Sequence, residues 1–225
     1  MNKRRRLGPL PGGLDEYVST LQKCLEFVRE SSSSPDKLEE WLSKTFHSKS
    51  ERTAQDCIYT IKNLHLIVAA DDRFLLSEIA SKFLETHENR LLYQQLNANY
   101  IGIYDVLQLL YEKPQTLNEI SSSLNEKIRV TWQKGNQWRI RLNWLRSLGY
   151  ATKDGQQYRL TRKGRETVES EFEVEEKIPE HNVLRDHIVE AGKLLGLFSQ
   201  KEYPINDYLV DVAWKRNEGA RNPFA

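Results

Sequence analysis

The chain has 225 residues, of which 39% are hydrophobic and 29% are charged, a composition typical of a globular protein with one to three small domains. Its longest apolar stretches, at residues 64–70 and 194–198, are much shorter than the roughly 20 residues that a membrane helix requires. The basic start at residues 1–6 is followed by GPLPGG instead of an apolar segment, so no secretory signal is predicted and a cytoplasmic protein without a membrane partner is expected.

The formal net charge of +1 hides an uneven distribution of charge along the chain. Residues 127–165 contain eleven basic side chains and a single acid, Asp154, whereas residues 166–180 contain seven acids and one base. A local excess of basic side chains attracts a polyanion. The basic block therefore indicates a nucleic-acid partner.

The first hundred residues contain three predicted helices, one hairpin and a linking helix. Apolar residues at three- to four-residue spacing predict helices over 14–30, about 36–46 with Asp36 as N-cap, and 51–65. Residues 66–70 and 73–76 have strand character around the turn 71–72, and Ser77 is predicted to cap a linking helix towards residue 92. Cys24 and Cys57 fall on apolar helix faces, which favours buried reduced thiols and excludes a disulfide scaffold.

The same order of elements recurs between residues 101 and 165. A helix is predicted over 101–111, and Thr116 followed by Glu119 forms a capping-box pattern that begins a second helix extending through Leu124. A third helix is predicted over about 133–148, with Gly149 as its stop. Residues 150–152 and 157–160 are predicted strands around an Asp-Gly turn.

Three helices followed by a hairpin, twice in succession, resemble tandem winged helices. In residues 101–165 the resemblance rests on the short helix at 116–124, the segment LRSLGY at 145–150 and the hairpin end YRLTRKG at 158–164. The first copy, at 14–85, departs from the pattern at its turn, where Asp71 and Asp72 occupy positions that favour Lys or Arg in a DNA-facing wing. The resemblance implies a mainly α fold with small β-hairpins, and double-stranded DNA as the partner.

The third helix of each copy carries the candidate base-reading residues. At about 100° per residue, one face of the second copy's helix presents Arg and Asn side chains, which can bond to guanine and adenine edges. These candidates are Asn136, Arg139, Asn143 and Arg146, and their counterparts in the first copy are Arg52, Gln55, Tyr59 and Asn63, interrupted by Asp56.

Further basic and polar residues are candidates for phosphate or minor-groove contacts, which position a protein on DNA without specifying sequence. They are Arg129, Lys134, Lys153, Gln156, Gln157 and Arg159. The basic residues 3–6 are expected to be a disordered arm that reaches a minor groove or phosphates, or else a solubilising terminus. DNA binding through these residues requires no cofactor.

The last forty-five residues are predicted to form a helix over 182–195 and strands over 198–203 and 208–214, after an acidic linker that closes at Pro179. An acid inside an apolar strand is costly unless it has a partner or a role, so Asp211 requires an explanation. The segments VEAGKLLG at 189–196, EYP at 202–204 and LVDVAW at 209–214 resemble the opening of a PD-(D/E)XK restriction-endonuclease-like domain.

That resemblance implies that Asp211 and Glu190 are catalytic carboxylates that bind Mg²⁺, a cation that can polarise a scissile phosphate and activate water. The alternative for Asp211 is a structural ion pair with Lys193 or Lys215. The (D/E)XK element does not occur before Ala225, so the site is expected to be incomplete in these residues. A longer natural chain would then be a Mg²⁺-dependent, type II-like deoxyribonuclease.

The interpretation is a DNA-recognition region of a restriction-type endonuclease, with an incomplete α/β C-terminal piece. A winged-helix transcription regulator without catalytic activity and a protein-interaction scaffold stay open as alternatives, as does a homodimer. The predicted parts are a flexible basic tail at 1–13, a first winged helix with its linking helix at 14–100, a second winged helix at 101–167, an acidic linker at 168–180, and the endonuclease-like start at 181–225.

Overall fold

The computed structural model describes residues 3–31, 34–47, 51–132, 135–205 and 208–220. Within these residues the chain is mainly helical with small antiparallel sheets, which confirms the predicted mainly α fold with β-hairpins. The chain divides into two compact units, Met1–Val168 and Glu169–Ala225. In the described part of the chain, no helix has the length and apolar character needed to cross a bilayer.

The first unit begins with three helices and a hairpin close to their predicted bounds. These are α1 (Tyr17–Ser31), α2 (Pro35–Thr45), α3 (Glu51–Asn63), β1 (Ile67–Ala70) and β2 (Arg73–Leu76). The N-cap of α2 is Ser34 instead of the predicted Asp36, because the Ser34 hydroxyl accepts the Lys37 N–H at 3.4 Å and Pro35 occupies the first helical position.

The segment predicted as a single linking helix forms two helices, α4 (Glu78–Thr86) and α5 (Asn89–Asn99). Ser77 caps α4 as predicted, with its hydroxyl 3.1 Å from the Ala80 amide nitrogen. The chain leaves α4 at His87, whose left-handed φ of 54° ends the helix while its N–H bonds back to the Phe83 carbonyl. The break follows from this local C-cap geometry, which the apolar spacing did not reveal.

The second half of the unit contains three helices and a three-stranded sheet. The elements are α6 (Ile103–Glu112), β3 (Gln115–Thr116), α7 (Leu117–Ile128), α8 (Asn136–Ser147), β4 (Ala151–Asp154) and β5 (Gln157–Leu160). The antiparallel sheet has the order β3-β5-β4. The capping box is confirmed, since the Thr116 N–H donates to Glu119 Oε2 at 2.7 Å and the Glu119 N–H donates to Thr116 Oγ1 at 3.3 Å. Strand β3 has only two residues, too few for a periodic signal.

The two halves share one hydrophobic core. Tyr17 of α1 lies edge-on to Trp144 of α8, with ring centroids 5.3 Å apart, and the Val18 N–H donates to Ser147 Oγ at 2.8 Å. The two predicted winged helices therefore belong to a single compact unit, and α1 covers part of α8.

The described part of the predicted flexible tail, residues 3–13, is instead packed against this unit. Leu7 and Leu10 are buried, and Arg4 forms a short parallel bridge with Tyr100. The Leu7 backbone exchanges two hydrogen bonds with the Gln137 side chain, at 2.9 and 3.3 Å. The expectation of a disordered arm is wrong for these residues because their leucines enter the core and side chains bond their backbone.

The second unit is formed by the end of a long helix, α9 (Arg162–Leu194), and a hairpin of β6 (Phe198–Ile205) and β7 (Tyr208–Lys215). Helix α9 runs unbroken through the predicted linker at 168–180 and past Pro179, in a glutamate-rich stretch that favours helix. The hairpin packs on α9, because Trp214 Nε1 donates to the Ile188 carbonyl at 3.1 Å and Gly192 leaves room for the Trp214 ring.

Candidate nucleic-acid interface

A cleft separates the third helices of the two halves, α3 and α8. It has a volume of about 550 Å³, and the N-terminal segment forms part of its wall. Its polar lining comes from both helices and this segment: Arg6, Asp56, Tyr59, Thr60, Asn136, Gln137, Arg139 and Asn143. The two helices predicted to carry base-reading residues therefore face the same cavity.

Arg139 is the central basic residue of the predicted base-reading face. Its side chain is exposed on α8, and its Nη2 donates to Asn136 Oδ1 at 2.5 Å, three residues earlier on the same helix. This bond links Arg139 to Asn136, and both residues are exposed in the N-terminal half of α8. Arginine and asparagine are the side chains best suited to paired hydrogen bonds with guanine and adenine edges.

The C-terminal half of the predicted base-reading face of α8 is less exposed to solvent than its N-terminal half. Asn143 is 3% exposed and bonds to Tyr17, so the prediction of Asn143 as a base reader is wrong in this structure. Arg146 has an 18% exposed side chain and pairs with Asp15 at 2.7 Å. The helical periodicity was correct, but α1 and the residues before it pack over this half of α8.

Arg141 is a buried arginine on α8 that the charge count treated as surface charge. Its Nε and Nη2 donate to the backbone carbonyls of Ile101 and Arg5, at 2.8 and 2.9 Å, and the guanidinium lies 4.3 Å from the Trp132 ring centroid. Burial lowers the pKa of Arg141 to about 9. Arg141 therefore fixes the N-terminal segment beside the cleft, and the neighbouring tryptophans were the sequence signal for its burial.

A second hollow lies between α7, α8 and the β4–β5 hairpin, with a volume of about 480 Å³. Lys153 and Gln156 of the hairpin line it together with Arg139, which also lines the α3–α8 cleft. Burial raises the pKa of Tyr158, which lines the same hollow, and the tyrosine stays neutral at physiological pH. The structure thus brings the predicted wing residues Lys153 and Gln156 to the same arginine that faces the cleft.

The other predicted contacts of the second half are less concentrated. Arg159 is exposed and pairs with Asp154 at 3.0 Å, and Arg129 is exposed at the C-cap of α7 with a φ of 56°. Lys134 lies outside the described residues. At least four of the eleven basic residues in 127–165 form ion pairs with carboxylates, which reduces the field that the sequence suggested: Lys127, Arg146, Arg159 and Arg162.

The predicted face of α3 is exposed at Arg52, Gln55 and Tyr59. Tyr59 is 59% exposed and lines the cleft, while the Gln55 amide donates to Glu39 Oε1 at 3.1 Å. Asn63, also placed on this face, is 7% exposed, and the expectation of an outward side chain is wrong there because its side chain bonds to the buried Tyr100. Asp56, which interrupts the face, lies in the cleft beside Arg6.

The two predicted metal ligands lie in the second unit. Asp211 is an exposed residue of β7, and Glu190 is an exposed residue of α9 with its carboxylate 3.7 Å from Lys193 Nζ. Across the residues that the structure describes, no group of three or more His, Cys, Asp or Glu side chains is arranged to hold a metal ion. The geometry therefore builds no metal site around these carboxylates, and their role as Mg²⁺ ligands stays a prediction.

Comparisons with known proteins give a similarity in structure but none in sequence. No family model matches the sequence, and no match was found among curated proteins. The chain is similar to the BpuJ1 endonuclease binding domain, in a crystal structure with pyrene- and phenanthrene-modified DNA. The similarity has a TM-score of 0.47 at 10% identity and covers 74% of this chain and 84% of that chain. Similarity this distant does not establish a common function, which has to follow from the residues of this chain.

Proposed function

We propose that this protein binds double-stranded DNA in a sequence-dependent manner through its first unit, with both halves of that unit acting as winged helices. The observation that carries the proposal is the position of Arg139, whose exposed side chain lines both the α3–α8 cleft and the hollow beside the β4–β5 hairpin. A continuous surface containing two candidate recognition helices and a hairpin thus has an arginine at its middle.

Helix α8 supplies the direct contacts to bases in this proposal. In helix-turn-helix proteins the N-terminal residues of the recognition helix contact base edges, and the exposed part of α8 is its N-terminal half. Arg139 is suited to the O6 and N7 atoms of guanine, and its guanidinium is hydrogen-bonded to Asn136. Tyr59 and Gln55 extend the polar surface along α3.

The hairpin and the C-cap of α7 supply contacts to the DNA backbone. Lys153, Gln156 and Arg129 are exposed, and side chains of these types bind phosphate oxygens without reading sequence. Because each neutralised phosphate releases counterions, affinity is expected to fall steeply as salt rises.

A selection experiment tests this proposal. The chain is incubated with a randomised duplex pool over a series of salt concentrations, and the retained DNA is sequenced. We expect an enriched motif, and Arg139→Ala to lower affinity for that motif about tenfold or more. Arg162→Ala is the matched control, because it removes the same charge from a 93% exposed side chain on α9 that does not line the cleft. Absence of retention at low salt would refute DNA binding and favour a protein-interaction scaffold.

We further propose a restriction-type context for this recognition unit, supported by the sequence resemblance of residues 189–214 to the start of a PD-(D/E)XK domain. In that context Asp211 and Glu190 are the carboxylates that bind Mg²⁺. Calorimetric titration of Mg²⁺ into the chain and into Asp211→Asn tests this assignment, and we expect weaker binding by the variant. Equal heats for both proteins would remove the support for a nuclease and favour the transcription regulator.

A further inference from the structure

The α3–α8 cleft contains a carboxylate, although a carboxylate does not help a surface to bind phosphate. Of the described residues that line the cleft, Asp56 alone is acidic. A negative charge in this position repels the DNA backbone and lowers the sequence-independent affinity for duplexes. Its presence therefore requires either a structural partner or a specific ligand.

The structural partner of Asp56 is weak. The Asp56 carboxylate lies 4.0 Å from Arg6 Nη2, beyond the length of a good hydrogen bond, and the two side chains are 43% and 71% exposed. Ion pairs this exposed add little to folding. The Arg6–Asp56 pair thus contributes little to stability, and both side chains are accessible from the cleft.

The backbone of Asp56 is held more firmly than its side chain. The Asp56 carbonyl accepts the Thr60 hydroxyl at 2.8 Å, and Gly8 of the N-terminal segment lies so close to α3 that a Cβ there would collide with Thr60. The carboxylate consequently extends from a fixed turn of α3 into the cleft, across from the helix that carries Arg139.

We propose that Asp56 determines sequence specificity by accepting a hydrogen bond from an exocyclic amino group in the major groove, either cytosine N4 or adenine N6. This inference rests on the proposed function, DNA binding by the cleft. Carboxylates are suited to this contact because they are acceptors only, and the major groove presents amino groups on C and A but not on G and T. When DNA binds, Arg6 contacts a phosphate instead of Asp56. One ion pair within the protein is thereby replaced by two contacts with DNA.

The test repeats the duplex selection with Asp56→Ala, a substitution that removes both the charge and the hydrogen-bond acceptor. Wild-type protein is expected to select C or A at one position of its motif, and the base found there identifies the amino group. In Asp56→Ala we expect this preference to weaken about tenfold while affinity for unrelated duplexes increases. The control is Glu85→Gln, which removes a charge from an exposed residue of α4 outside the cleft.

A second variant separates base reading from backbone binding. Arg6→Gln keeps the Asp56 carboxylate, and we expect it to lower affinity for all duplexes without changing the selected base. Matching melting temperatures of the variants and wild type establish that each is folded. An unchanged base preference in Asp56→Ala would overturn the assignment of Asp56 alone. Wild-type retention without any motif would also overturn it while leaving backbone binding intact, and no wild-type retention would end both proposals.

Discussion

Arg139 and Arg141 lie two residues apart on α8 and have opposite environments. A separation of two residues turns a helix by about 200°, so one guanidinium faces the cleft and the other the core. Arg139 is exposed, whereas Arg141 is 0% exposed and bonded to the carbonyls of Ile101, Gln137 and Arg5. Two arginines that contribute equally to a charge count thus have different environments, one exposed in the cleft and one fixing the N-terminal segment.

The outward face of α8 shows a second contrast along its length. Its N-terminal half exposes Asn136 and Arg139, but its C-terminal half carries the buried Asn143 and the paired Arg146. Burial raises the pKa of Tyr17, which packs over this half, and the bond from Asn143 partly offsets that rise. Helical periodicity identifies a face, whereas exposure depends on which other elements pack over it.

The largest expected effect is on folding stability, when the core-facing Arg141 is replaced. Arg141→Met is expected to lower the free energy of unfolding by roughly 3 to 5 kcal/mol, because it leaves buried carbonyls without a donor. Urea unfolding followed by circular dichroism measures the change. Arg139→Met is the matched control on the same helix and is expected to alter stability by less than about 0.5 kcal/mol. Equal destabilisation by the two variants would contradict the assigned difference between the faces.

The next effect concerns DNA and the outward arginine. Arg139→Lys keeps the charge but loses the planar fork that bonds two acceptors on one base. We expect affinity for the selected motif to decrease about tenfold, with affinity for unrelated duplexes and the salt dependence nearly unchanged. Fluorescence anisotropy with both duplexes at several salt concentrations checks this. A uniform loss on both duplexes would indicate that Arg139 binds phosphate instead of a base.

A smaller effect is expected for the covered half of the face. The Asp15–Arg146 pair is partly exposed, and such pairs typically contribute about 0.5 kcal/mol. A double-mutant cycle with Asp15→Asn and Arg146→Gln measures the coupling in urea unfolding, and DNA binding of Arg146→Gln is measured in parallel. Arg146 would be a base contact, as the sequence suggested, if Arg146→Gln abolished selection of the motif and the coupling energy between Asp15 and Arg146 were near zero.

The sequence was sufficient for those parts of the fold that depend on local signals. The capping box at Thr116, the N-cap at Ser77 and the hairpin around Gly155 are each specified by residues within a few positions, and the structure has each of them. The two-residue strand β3 was not predicted, because it pairs with residues that are distant in sequence. The helix break at His87 was not predicted either, because it depends on a single residue with left-handed backbone geometry.

The candidate site was predictable only where exposure follows from the helix itself. Arg139 is on the predicted face and stays exposed there, but the burial of Asn143 depends on Tyr17, more than a hundred residues earlier in the chain. The packed N-terminal segment is another long-range effect, since Leu7 is bound by Gln137 of α8. Contacts between elements distant in sequence leave no periodic pattern in either one.

The smallest expected effect concerns Glu119, an exposed acid on the rim of the second half. Hydrogen bonds from the Thr116 backbone N–H and hydroxyl lower the pKa of Glu119, so the ionised form is favoured in the folded state. The stabilisation is present above the ordinary glutamate pKa and is lost as pH falls through the lowered value. Glu119→Gln should therefore be slightly less stable than wild type at pH 7, and this difference should shrink towards pH 3 as the carboxyl takes up a proton. Urea unfolding at the two pH values measures the difference, with Glu85→Gln as an exposed control. A difference that persisted undiminished at pH 3 would place the stabilisation in packing instead of in the charge-assisted cap.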